Sequence, residues 1–184
     1  MRFFVRVIKF ILFPLIQNKQ FFSKKTPDER AVILVDMQKD FVVDLFEDVR
    51  ASIVDAQVRV IRACAKENIP LFVLEFRGEG RTIVELECEI NRVPRVKFIT
   101  KKRDNGFIRT SLGKDIKRLG VTAVSIMGMN AHACVLDTAK TALATGLHVS
   151  VPENLIADAC NTGIRTGARQ WYLDNGCFKK DVFA

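Results

Sequence analysis

The chain has 184 residues, of which 48% are hydrophobic and 27% charged, and a net charge of +8. That is one domain of ordinary size, apolar enough to fold and too short for two well-cored units. No uncharged apolar run approaches the roughly 20 residues needed to cross a bilayer, and the 10 glycines and 5 prolines exclude collagen-like and low-complexity designs.

The positive charge is concentrated at the N-terminus. Residues 1–25 hold Arg2, Arg6, Lys9, Lys19, Lys24 and Lys25 and no acid; the remainder carries 23 bases against 21 acids. A nucleic-acid footprint needs clustered bases on the folded body, so no nucleic-acid partner is expected. The same segment is rich in phenylalanine, with Pro14 in its middle and no A-x-A-like cleavage site after its apolar run. It is read as an N-terminal extension; the alternatives are a membrane-surface segment and a poor signal peptide. Thr26-Pro27-Asp28 is a turn-forming boundary, and residues 26–184 form the domain.

The domain alternates strands and helices. Ala31–Val35 is a continuous apolar run, the mark of a strand buried on both faces. Helical spacing follows over residues 51–67, stopped by Asn68 and Pro70. Strands are predicted at 71–76, 96–100, 121–127 and 148–151, with helices at 111–119, 132–145 and 163–174. A short sixth strand is expected within Phe178–Phe183. The alternation predicts a three-layer α/β/α sandwich around a parallel sheet. Cys64, Cys88, Cys134, Cys160 and Cys177 form no CxxC pair, so they read as free thiols of a reducing, cytoplasmic compartment.

Ligands of open parallel sheets bind beyond the carboxyl ends of the strands. Three such ends carry chemistry. Asp36 follows the first strand in VDMQKDF, Lys101 and Lys102 follow the third in TKKRDNGF, and GMNAHACV follows the fourth, with Cys134 at a helix start. No G-x-G-x-x-G or Walker loop follows any strand, which excludes a generic nucleotide binder.

These residues resemble the isochorismatase-like cysteine hydrolases over roughly residues 29–175. The matching motifs are Asp36, Gln38 and Phe41; Lys101 with Gly106 and Phe107; and Gly128, Cys134 and Val135 with Thr138-Ala139 beyond. The resemblance implies a six-stranded parallel sheet ordered 3-2-1-4-5-6 and a catalytic triad of Asp36, Lys101 and Cys134. It also implies an oxyanion hole from the backbone N–H groups of Asn130 and Cys134, with a cis peptide between Met129 and Asn130. The spacing to Gly106-Phe107 in similar sequences selects Lys101, with a slip to Lys102 left open.

The triad also has a physical reading. A helix start and a nearby ammonium favour the Cys134 thiolate over a free thiol of pKa near 8.5. Asp36 takes the thiol proton and later delivers it to a leaving amine. Gln38 is a pocket polar group or an orienting one, and Phe41 and Phe107 are pocket wall or core. Arg77, with Glu75, is a candidate binder of a polar substrate group.

Nicotinamidases, a branch of the same family, hold a metal through an Asp and several His. Residues 37–100 contain no histidine, and His132 and His148 lie elsewhere, so neither metal nor cofactor is expected. His132 is expected exposed in the first helical turn. The leading reading is a hydrolase of a small amide-type C–N bond acting through a thioester on a small-molecule substrate. Its rivals are a vinyl-ether hydrolase of isochorismatase type and a non-catalytic binding protein on the same fold. A homo-oligomer is expected from similar proteins and from apolar helix faces.

Overall fold

The computed structural model describes residues 30–159 and 164–178. The expectations for residues 1–25, the boundary at 26–28 and Cys160 lie outside the described residues. The strands are β1 (Arg30–Val35), β2 (Leu71–Phe76), β3 (Val96–Lys101), β4 (Ala123–Met129), β5 (His148–Ser150) and β6 (Ile156–Ala157). The helices are α1 (Lys39–Val42), α2 (Glu47–Glu67), α3 (Val84–Ile90), α4 (Leu112–Leu119), α5 (Cys134–Ala144) and α6 (Thr166–Asp174).

The named strands all pair parallel, in the order β3-β2-β1-β4-β5, and β6 pairs with β4. The six-stranded parallel α/β architecture is therefore the one the sequence implies. The central strand β1 shows why. Ala31, Ile33 and Val35 enter one apolar cluster with side chains of α4, α5 and α6, while Val32 and Leu34 enter a second with those of α2 and α3. Successive side chains of a strand point to opposite faces, so an unbroken apolar run feeds both cores at once.

Three elements differ from expectation. The sixth strand is Ile156–Ala157, whereas Phe178 lies outside any strand and 179–183 fall outside the described residues. The physical reason is the length of β4. Its first three residues pair with β5, leaving Gly128 and Met129 to pair with β6. Helices α1 and α3 were not predicted: α1 has four residues with one buried side chain, and α3 has seven. Segments this short carry little periodicity to read. Helix α2 begins at Glu47 and ends where Asn68 turns left-handed, its N–H closing on the Cys64 carbonyl. No helix among the described residues is long and apolar enough to cross a membrane.

The closest backbone approach lies between the two central strands. Gly128, at φ 138°, is in register with Val35, and a Cβ there would lie 2.0 Å from the Val35 carbonyl oxygen. A side chain would force apart the ends of β1 and β4, from which the chain continues into Asp36 and Asn130. We expect Gly128→Ala to cost about 3 kcal/mol in urea unfolding. Gly146→Ala, at φ 84° with no atom within 4 Å of the added carbon, is expected to cost only about 1 kcal/mol.

Candidate active site

The chain ends β1 and β4 with the same conformation. Asp36 has φ 52° and Asn130 has φ 61°, both in the left-handed region. Asp and Asn tolerate it better than most residues, at a cost of about 1–2 kcal/mol each. These turns direct Asp36 and the Cys134 loop toward each other. The Met129–Asn130 peptide, expected cis, is trans, since the described residues hold no cis peptide bond. The reversal between β4 and α5 is made instead by the positive φ of Gly128 and Asn130.

Asp36 and Lys101 form a buried ion pair, Nζ to Oδ2 2.7 Å, with both side chains fully shielded from solvent. Strand alternation explains why Lys101 and not Lys102 is the buried one. On edge strand β3, Ile99 and Lys101 face inward while Thr100 faces solvent, and Lys102 beyond the strand is exposed. The Lys101 ammonium also donates to the Arg103 carbonyl at 3.2 Å and lies 4.4 Å from the centre of the Phe76 ring. That ring adds a cation–π contact in a desolvated place. Apart from the ion pair, neither Asp36 oxygen accepts a hydrogen bond of good geometry.

Gln38 and Phe41 both act on Phe76. The Gln38 amide holds the two peptide groups that flank the Phe76 Cα, accepting from the Phe76 N–H at 2.5 Å and donating to the Phe76 carbonyl at 2.9 Å. It also donates to the Gly80 carbonyl at 2.7 Å. Phe41 meets the Phe76 ring edge-on at 6.3 Å between centroids. Gln38 is fully buried by this role, so it orients the lysine's aromatic floor. Arg77 is exposed and makes no ion pair among the described residues, while Glu75 is committed to Thr82, from whose N–H and hydroxyl it accepts at 2.9 and 2.8 Å. Phe107 packs against the core cluster under α5.

Cys134 is the first residue of α5 and is almost fully buried. The neighbouring N–H groups are engaged: Ala131 on the Ala157 carbonyl, His132 on the Asp158 carboxylate, and Ala133 and Val135 on the Asn130 carbonyl. The N–H groups of Asn130 and Cys134 take part in none of these loop bonds. His132 is half-buried rather than exposed, its ring Nδ1 2.7 Å from the buried Asp158. That pair fixes the loop before Cys134.

The electrostatics reverse one expectation. Burial, reinforced by the Asp36 charge, pushes the Cys134 thiol well above its ordinary range, although Lys101 pulls the other way. Burial also raises the Asp36 carboxyl, partly offset by Lys101. Desolvation thus outweighs the helix start, favouring the protonated thiol and raising the proton affinity of Asp36. Phe76 and Asp104, whose Oδ1 lies 3.6 Å from the Cys134 sulfur, were not singled out from the sequence. Only a three-dimensional arrangement brings them to the triad.

The fold and the strand-end chemistry define a class, and comparison with known proteins agrees. The isochorismatase domain family model matches residues 30–170. The chain belongs to the isochorismatase domain family, the isochorismatase-like hydrolases. A nicotinamidase structure from Staphylococcus aureus is 28% identical, with a TM-score of 0.67 over 81% of this chain and 96% of that one. A ribonuclease structure from Caenorhabditis elegans, 24% identical over 88% of this chain and 81% of its own, has a TM-score of 0.74 and shows the fold alone. Streptothricin hydrolase from Streptomyces noursei is 30% identical over 100 residues, 48% of this chain and 40% of that protein. The chain thus spans well under half the length of the curated relative it matches.

Four outcomes follow from the charges. At pH 7 iodoacetamide should label Cys134 no faster than the exposed Cys88. Asp36→Asn should accelerate that labelling, because it removes the charge that holds the thiol protonated; residue-resolved mass spectrometry reads both. Lys101→Met should cost about 3 kcal/mol at pH 7, the usual penalty for stranding a buried charge. The loss should shrink as pH falls and Asp36 takes up a proton, which urea midpoints across pH would show.

Proposed function

We propose that the chain is a cysteine-dependent hydrolase that cleaves an amide-type C–N bond of a small molecule through a covalent thioester. The observation that carries this reading is the buried Asp36–Lys101 pair set beside the buried Cys134 at the start of α5. Asp36 has uncommitted lone pairs and a proton affinity raised by burial, which suits a general base and acid.

In this reading Asp36 takes the thiol proton as Cys134 Sγ bonds to the carbonyl carbon. The carbonyl electrons move to oxygen, where the N–H groups of Asn130 and Cys134 receive the oxyanion; each such donor is typically worth about 10²–10³ in rate. The tetrahedral species collapses, the C–N bond breaks, and Asp36 gives its proton to the departing nitrogen. Water then attacks the thioester, again losing a proton to Asp36. Collapse releases the acid, and the sulfur regains the proton from Asp36. Lys101 holds the carboxylate in place and balances the charge that Asp36 gains and loses. Similarity to a nicotinamidase favours an amide over a vinyl ether. Self-association belongs to the proposal too, supported by exposed apolar side chains such as Phe46 and Val84.

The test is Cys134→Ala against a panel of small amides. Turnover should fall by at least about 10³-fold, and intact-mass spectrometry of the wild type during turnover should reveal an acyl adduct on Cys134. Retained turnover in the variant would move the reading to a vinyl-ether hydrolase, which needs the acid alone. A folded wild type that turns over nothing and forms no adduct would favour a binding protein.

A further inference from the structure

Two carboxylates flank the Cys134 sulfur, and only one is balanced. Asp36 is neutralised by Lys101 at 2.7 Å. Asp104 approaches from the solvent side, with Oδ1 3.6 Å from Sγ, and its side chain makes no ion pair among the described residues. Its neighbours Lys102 and Arg103 are exposed and leave it unpaired. The open side of the thiol therefore carries a carboxylate that no ion pair neutralises among the described residues.

Asp104 is not a loosely tethered surface group. The residue before it is fixed through its carbonyl, which accepts from Lys101 Nζ at 3.2 Å. The residues after it are fixed to α5, the helix that Cys134 begins. The Asn105 amide donates to Thr141 Oγ1 at 2.6 Å, and the Gly106 N–H donates to Thr138 Oγ1 at 2.9 Å. Gly106 seats so tightly that an added Cβ would lie 2.4 Å from Leu74. Loop and nucleophile thus share one frame, and Asp104 keeps its place over the sulfur.

We propose that Asp104 sets the charge specificity of the site, selecting substrates that carry an ammonium, amidinium or guanidinium group next to the scissile carbonyl. The inference rests on Cys134 being the nucleophile and goes beyond it by naming the substrate class. A cation within a few ångströms of an exposed carboxylate is favoured and an anion disfavoured, each by a screened Coulomb energy. Because Asp104 also repels charge on the sulfur and on Asp36, its field already reaches both reacting groups.

The experiment compares the alkylation rates of Cys134 by (2-bromoethyl)trimethylammonium, iodoacetamide and iodoacetate, on the whole protein at one alkaline pH, with the thiolate as the reacting species. Residue-resolved mass spectrometry separates Cys134 from the other thiols. The ratio of the cationic to the anionic rate should fall about three- to tenfold from wild type to Asp104→Asn. Asp104→Glu should keep the wild-type ratio, Asp104→Lys should invert the preference, and about 1 M salt should erase it. A change in thiol acidity alters all three rates alike, so the ratio isolates the charge effect. A ratio unchanged in Asp104→Asn overturns the proposal, as does a native Cys134 that none of the three reagents reaches. The ratio needs no turnover, so its failure is distinct from failure of the acyl-enzyme test.

Discussion

The buried pair of Asp36 and Lys101 is the constraint around which the rest is arranged. Two charges removed from water cost several kcal/mol each unless geometry restores the loss. Here the restoration comes from several elements at once. The end of β1 supplies the carboxylate, the inward face of β3 supplies the ammonium, and Phe76 at the end of β2 supplies an aromatic face for it. The three adjacent strands β1, β2 and β3 converge on one ion pair. Parallel pairing places their carboxyl ends at the same edge, and this is the reason the chemistry can assemble there.

The motif at the end of β1 acquires a single physical meaning from this arrangement. Asp36 is the charge. Gln38 holds the backbone of Phe76 through both its N–H and its carbonyl, and Phe41 presses on the ring from the side. Three residues spaced over six positions therefore serve the same lysine, one by pairing with it and two by fixing the surface it rests on. On the other side, Gly106 and Thr138 perform the matching task for the loop after β3, docking it to the helix that begins with Cys134.

The sheet, the order of its first five strands and the three strand-end residues were legible in the sequence. Long apolar runs and strand ends are local signals, and Ala31–Val35 states its double burial in its composition alone. The choice between Lys101 and Lys102 stayed open in the sequence, and only the burial of Lys101 at the end of β3 separates the two. What escaped depended on contacts across the fold. The sixth strand is two residues long and exists because β4 outruns β5. Phe76 is an ordinary strand residue until a lysine lies on its ring. Asp104 sits in a charged run, KKRD, that reads as solvated surface. The acidity of Cys134 was misjudged because helix position is written in the sequence and the depth of burial is not. The family assignment rests on motif order, and the structure explains why that order matters.

The protonated resting state of Cys134 has a consequence for durability. Peroxide attacks thiolates far faster than thiols, and a nucleophile kept permanently ionised is exposed to sulfenic and then irreversible sulfinic acid formation. A thiol that is buried and held neutral until a carbonyl arrives escapes most of that chemistry. The desolvation that makes the free site sluggish toward small electrophiles also makes it long-lived under oxidative stress. Cys88, by contrast, is free and exposed.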